Sequence, residues 1–192
     1  RTMGSVFVDK SSGTLTLLTD LFLDDDLTIV NGTVDLGEND LRGQNTGVLA
    51  VQNDGVLRVG GSFPTRFRTT TLSAASTVEY YGAAQTISGS PRIPAYGNLI
   101  LSGSGTKTLD GSVSVATMLS MQGNATFATG GFTLTYGTTA ALEYKGSSAQ
   151  TNGPECLPTM LTGRTVIINN SYGVTLNNSV NTGTLQMIQG TL

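Results

Sequence analysis

Thr106–Thr126 reads TKTLDGSVSVATMLSMQGNAT. The phrase returns twice, as TLTLLTDLFLDDDLTIVNGT over Thr14–Thr33 and as GVTLNNSVNTGTLQMIQGT over Gly173–Thr191. Leu17, Leu21, Leu23, Leu27 and Ile29 align with Leu109, Val113, Val115, Leu119 and Met121 at one offset, 92 residues. Leu176, Val180, Leu185 and Met187 repeat most of those marks. Within each copy, apolar residues alternate with Thr, Ser, Asn and Asp over short runs that stop at Gly, Asp or Asn, as half-buried strands closed by turns do. Such a unit is too small to bury its own apolar face, so recurrence points to stacking on copies of itself.

A longer block is duplicated around this phrase. Thr77–Gly82 (TVEYYG) returns as Ala141–Gly146 (ALEYKG), and Gln85-Thr86 as Gln150-Thr151. Pro91-Arg92-Ile93-Pro94 returns as Pro154-Glu155-Cys156-Leu157-Pro158, and Asn98–Leu101 as Thr165–Ile168. These copies lie 63 to 67 residues apart, at least 25 fewer than the first offset, and Val48–Val59 (VLAVQNDGVLRV) supplies the extra strand set of one such coil. A solenoid accepts a whole extra coil without disturbing its stack, whereas the competing fold, a β-sandwich, houses one with difficulty. The expectation is one all-β domain over residues 1–192, a parallel β-helix of eight to nine coils of 20–25 residues. At ~4.8 Å per coil it forms a rod about 40 Å long. Leu17, Leu27, Ile29, Leu109, Val113, Leu119 and Met121 are expected to point inward, each contributing about 1.5–3 kcal/mol. Asn53-Asp54-Gly55 suits either a hairpin turn or a corner between coil strands. Phe63–Arg68 (FPTRFR) is expected to leave the stack, because Pro64 lacks a ladder donor. Ser5–Val8 aligns with Asn98–Leu101, which leads to the expectation that the chain is an excerpt of a longer repeat protein.

Composition excludes several classes. With 25 Gly and only 12% charged residues, the chain lacks the Ala, Leu, Glu and Lys runs that helices need. A net charge of −3 argues against nucleic acid as a partner. Nine of the thirteen acids fall in the first sixty residues. No stretch approaches the ~20 apolar residues of a membrane span.

The phrases STVEYYGAAQTI (Ser76–Ile87), YGNLILSGSGTKTLDGSVSV (Tyr96–Val115) and LTIVNGTVDL (Leu27–Leu36) carry a resemblance. They resemble the repeats of very large, secreted, adhesin-like surface proteins of Bacteroidetes-type bacteria, over about Leu15–Leu192. That resemblance implies a right-handed parallel β-helix, a cell-surface or extracellular location and passage through an outer-membrane secretion system. It implies no catalytic residue.

Candidate chemistry is sparse. Zero histidine removes Ser-His-Asp and Cys-His sites and the commonest zinc ligand. Cys156, the one cysteine, reads as a loop residue interchangeable with Ile93 rather than as an activated thiol. Asp24-Asp25-Asp26 suits calcium or acid–base work on a polysaccharide, but three consecutive strand residues do not share a face. They read as a solvated corner, aligned with Ala116–Met118 and Asn181–Gly183. The pairs Thr14/Thr16, Thr106/Thr108 and Thr133/Thr135 suggest an ice-binding array only if they share one face. Arg58, Arg66 and Arg68 with Phe63 and Phe67 mix cations and aromatics as a nucleic-acid surface does, in too few positions for one. The triplets at Asn31, Asn124, Asn169 and Asn177 fit the glycosylation pattern, which a Thr- and Asn-rich chain produces by chance. The expected function is a non-enzymatic structural or adhesive segment, self-stacking or joined to adjacent repeats. Glycans or surface proteins are its expected partners, no cofactor or metal is expected, and residues 61–70, 88–96 and 152–164 are the contact loops. The alternatives are a polysaccharide lyase or hydrolase on the same fold, and an ice- or surface-binding solenoid.

Overall fold

The structure, a computed structural model, describes residues 3–157, 159 and 161–192. Nine strands follow one another across one sheet in chain order, every pair parallel. They are Val6–Thr16, Leu27–Asp35, Val48–Val59, Thr77–Tyr80, Tyr96–Leu101, Val113–Ala128, Ala141–Gly146, Thr165–Asn169 and Thr184–Gln189. Thr69–Leu72 and Leu134–Tyr136 extend the same sheet. Between its passages the chain turns onto a second face of shorter parallel ladders. There Gln85–Ile87, Ser104–Leu109 and the end of Val113–Ala128 stack in turn, as do Leu21–Phe22 on Leu41–Arg42 and Gln150–Thr151 on Val174–Thr175. This is a parallel β-solenoid of about nine turns.

One column of inward side chains defines it. Leu15, Val34, Leu57, Val78, Leu99, Leu119, Leu142, Val166 and Leu185 are successive register partners, nine rungs with one aliphatic residue each. The rungs are 19 residues apart at the closest (Leu15 to Val34) and 24 at the widest (Leu142 to Val166). The seven interior members are at most 2% exposed, whereas Leu15 and Leu185 are 39% and 43% exposed. A second column, Val59–Tyr80–Leu101–Met121–Tyr144–Ile168–Met187, lies two residues further along the strands. Strand alternation explains both, since residues i and i+2 share a face and like residues meet on every turn.

The register differs from the 92-residue alignment. Val34 reaches Leu119 in four rungs, and 119 − 34 is 85. Leu27 belongs instead to the column Val6–Leu27–Leu49–Thr70, so the alignment slid by seven residues. The long strands carry two alternating apolar runs on either side of a bend, and periodicity does not tell the first run from the second. The 66-residue match of Leu119 to Leu185 spans three rungs, so the two offsets differ by one coil as expected. Of the residues expected inward, Leu17 is only partly buried; Leu27, Ile29, Leu109, Val113, Leu119 and Met121 are all core.

Two local expectations are decided here. Val48–Val59 is one strand, with Leu49 parallel to Leu27 and Thr70 and Val56 parallel to Thr33 and Thr77, so Asn53–Gly55 is a corner. Phe63–Arg68 stays in the stack, contrary to expectation. Thr65 N–H donates to Leu41 O, Thr65 O accepts from Gly43 N–H, and Phe63 is buried against Tyr80 with ring centroids 6.3 Å apart. The ladder bonds fall on Thr65, so the donor that Pro64 lacks is not one that the stack uses.

The corner leaving the main sheet is built on stacked glycines. Gly103 has φ +71°, and a Cβ there would lie 2.0 Å from Tyr81 O on the coil beneath. Gly103→Ala combines a left-handed backbone with a main-chain clash and is expected to cost about 2–3 kcal/mol. Urea unfolding checks this: a loss below about 0.5 kcal/mol would show that the corner relaxes freely.

Candidate functional site

The outward side of the main sheet carries a column of polar residues in register: Asp35, Arg58 and Glu79. Alternating charge on adjacent rungs, ~4.8 Å apart, lets one guanidinium bridge two carboxylates. Arg58 Nη1 donates to Asp35 Oδ2 at 2.7 Å and Nε to Glu79 Oε2 at 2.7 Å. Tyr81 OH donates to Asp35 Oδ1 at 2.6 Å, Ser102 Oγ donates to Glu79 Oε1 at 2.5 Å, and the guanidinium lies 4.5 Å over the Tyr81 ring. The hydrogen bond to Glu79 raises the Arg58 pKa, and burial, then Asp35, push the Tyr81 phenol up to about 12. Three coils on, Glu143 accepts from Ser120 Oγ at 2.6 Å and Asn169 Nδ2 at 3.0 Å. These groups bond one another across rungs, so the face acts as a staple between coils.

Inside the corner between the two faces lies a second polar arrangement. Gln85 Nε2 donates to Val59 O and Gly61 O, and Gln150 Nε2 donates to Met121 O. The recurrence of Gln therefore reflects an amide that closes carbonyls at the corner. One coil above Gln85, Lys107 is fully buried. Its Nζ donates to the carbonyls of Gly82, of Ala83 (2.6 Å) and of Ser104 (3.2 Å), and to Gln85 Oε1 (2.9 Å). Burial lowers its pKa to about 8. The unfolded lysine, with its ordinary value near 10.5, holds its proton longer than the folded one. Stability therefore rises as pH climbs from about 8 toward 10.5, by up to ~3 kcal/mol. Lys107→Met removes that rise and takes one donor from each of three carbonyls, of which Gly82 O keeps Ser104 N–H at 3.4 Å; a carbonyl left bare costs about 1–3 kcal/mol. Offset by the ammonium's burial cost, a loss of roughly 2 kcal/mol is expected at pH 7. Urea unfolding at pH 7 to 10 reads both effects; an unchanged pH slope in the variant would refute the assignment.

The second face carries grooves beside the two Pro-bracketed segments. The first, about 460 Å³, is lined by Ser62, Phe63, Thr65, Gln85, Thr86, Ser88, Arg92 and Asp110, with Gly60, Gly61 and Ala84. The second, about 360 Å³, lies over Phe127, Tyr144, Gln150, Thr151 and Glu155 among others. Here Glu155, 2% exposed, accepts from Tyr144 OH and from Gly153 N–H, both at 2.7 Å, and its carbonyl accepts from Tyr136 OH at 2.8 Å. In the first block Tyr80, the counterpart of Tyr144, is tied differently: its hydroxyl meets that of Tyr96 at 2.9 Å, and Tyr96 OH donates to Ser88 O at 2.6 Å.

The residues singled out in the sequence do not converge. Asp24 and Asp25 are exposed at the corner before Leu27–Asp35. That corner is not the one occupied by Ala116–Met118, which lies within Val113–Ala128, so the aspartates' alignment slid with the rest. Asp26 Oδ1 accepts from Val48 N–H at 2.7 Å and Asp25 Oδ2 from Ser5 Oγ at 3.1 Å, which ties three coils at the corner. Among the described residues no three acidic or cysteine side chains form a metal-binding group. Cys156 is buried, its thiol pKa raised by burial, and Ile93 is equally buried. Thr14 and Thr16 lie on the main sheet and Thr106 and Thr108 on the second face, so the threonine pairs do not build one array. Arg58 is held by its carboxylates, Phe63 is inside, and only Arg66 and Arg68 of that set are exposed, which dissolves the mixed patch. Pro158 and Met160, in the expected contact segment 152–164, lie outside the described residues.

Among the described residues no helix is long and apolar enough to cross a membrane. Compared with protein-family models, curated proteins and solved structures, the chain has no match.

Proposed function

We propose that the chain is a rigid, non-catalytic segment of a large extracellular or cell-surface protein, a spacer with lateral adhesive grooves. The observation that supports this reading most is the nine-rung ladder. Its seven interior members are at most 2% exposed. Parallel coils of this kind stack on like coils without disturbing those already formed. Continuous parallel ladders then carry load along the axis. The resemblance to adhesin-like repeats supports the surface location and the adhesive role.

Two copies joined head to tail test the rod. Coil docking predicts one cooperative unfolding transition, shifted upward from that of the single copy, and a particle longer by about 40 Å at constant width. Two independent transitions at the single-copy midpoint would remove the basis for a continuous rod. Binding to glycan arrays and host-matrix proteins tests the adhesive part separately.

A further inference from the structure

The first groove on the second face has features that packing does not explain. Its floor is laid by three successive coils, Thr65, Thr86 and Asp110 each arriving from a different turn, and Arg92 overhangs it from the Pro-bracketed segment. Arg92 and Asp110 are both exposed, and among the described residues neither enters an ion pair. Arg92 uses one donor, Nη1 to Ser88 Oγ at 3.1 Å, and Asp110 uses one oxygen, Oδ1, which accepts from Gly89 N–H at 2.8 Å. Asp110 Oδ2 and the other guanidinium N–H groups have no partner among the described residues. Arg92 also lines two further depressions, one shared with Asp110 and one flanked by Phe67, Arg68, Pro91 and Pro94. The three depressions, which share Arg92, thus present free donors, a free acceptor, threonine and serine hydroxyls and an apolar flank.

We propose that the first groove is a binding site for a neutral, hydroxyl-rich oligosaccharide, with Arg92 and Asp110 as its two anchoring residues. The proposal rests on the adhesive part of the reading above and names its ligand class. A vicinal diol offers a donor and an acceptor about 3 Å apart, which suits a carboxylate oxygen and a guanidinium that are not paired with each other. Within the first groove an anionic sugar would gain Arg92 but meet Asp110, and a cationic one the reverse, so that groove selects against net charge; Arg68 lines only the apolar-flanked depression. A volume of about 460 Å³ falls in the ordinary range for small-ligand sites. The rungs beneath are rigid, so little ordering is lost on binding.

Calorimetric titration of the whole chain with neutral hexasaccharides of gluco, manno and galacto configuration, and with hexagalacturonate, is the test. At least one neutral hexasaccharide is expected to bind. Arg92→Ala and Asp110→Asn should each weaken it about tenfold or more, because each removes hydrogen bonds to a charged group. Arg92→Lys, which keeps charge but loses the planar fork, should weaken it less than Arg92→Ala. Both positions are exposed, so thermal midpoints should match wild type and separate lost binding from lost folding. Absence of binding to every neutral probe overturns the proposal; so does binding that survives both substitutions, or tighter binding of hexagalacturonate. None of these outcomes touches the rod, which is judged on the tandem copies.

Discussion

Between pH 11 and 12 the rod is expected to unfold cooperatively, and four buried tyrosines are the reason. Tyr80, Tyr96, Tyr136 and Tyr144 are at most 6% exposed, and burial raises each phenol above its ordinary value. Below pH 10 the folded and unfolded chains both keep these protons, and stability is unaffected. Above pH 10 the unfolded chain releases them and the folded chain does not, so unfolding gains ~1.4 kcal/mol per tyrosine per pH unit. Four of them give about 5 kcal/mol per unit, against a total stability of about 5–15 kcal/mol for a domain. Lys107 works the other way between about 8 and 10.5, so stability should peak near pH 10 before falling. Tyrosinate absorbance and circular dichroism read together check the expectation. Five of the six tyrosines, these four and Tyr81 with its phenol pushed up to about 12, should ionise with the loss of strand signal. Ionisation near pH 10 with the strands intact would show that the phenols are not sealed.

The same substitution should have unlike costs along one column. Leu119→Ala, in the middle of the ladder, is expected to cost about 3–5 kcal/mol, the transfer term plus the cavity left in a wall that cannot close. Leu185→Ala, on the last rung and 43% exposed, should cost under about 1 kcal/mol. Urea unfolding of the two variants measures the ratio directly. In the tandem copies the Leu185→Ala cost in the first copy should rise toward that of Leu119→Ala, since the docked coil covers it. Equal costs in the single copy would mean that the column is not the core.

Much of this was open to reading from the residues. Alternation in TVEYYG and ALEYKG placed Tyr80 and Tyr144 on equivalent rungs, and the recurring Gln85 and Gln150 occupy the same corner. Lys107 was readable too, because it shares parity with the inward Leu109, and an inward lysine on a strand needs acceptors. The register was not. Leu27 and Leu119 have like neighbours but lie on different halves of the sheet, because a bend separates two runs that look the same in one dimension. Pro64 misled for a related reason: its effect depends on whether that rung asks for its N–H.

By itself, then, the chain's alternating apolar residues and 20-odd-residue recurrence determined a parallel solenoid, because only stacking on like coils buries so many short strands. Which residues meet across coils was decided only in three dimensions. Asp35, Arg58 and Glu79 are more than twenty residues apart in sequence yet adjacent on the sheet. Arg92 and Asp110 share a cleft only because a Pro-bracketed segment folds back over the second face. Contacts of that kind depend on the length of every intervening turn, a sum of corner geometries that local pattern does not encode.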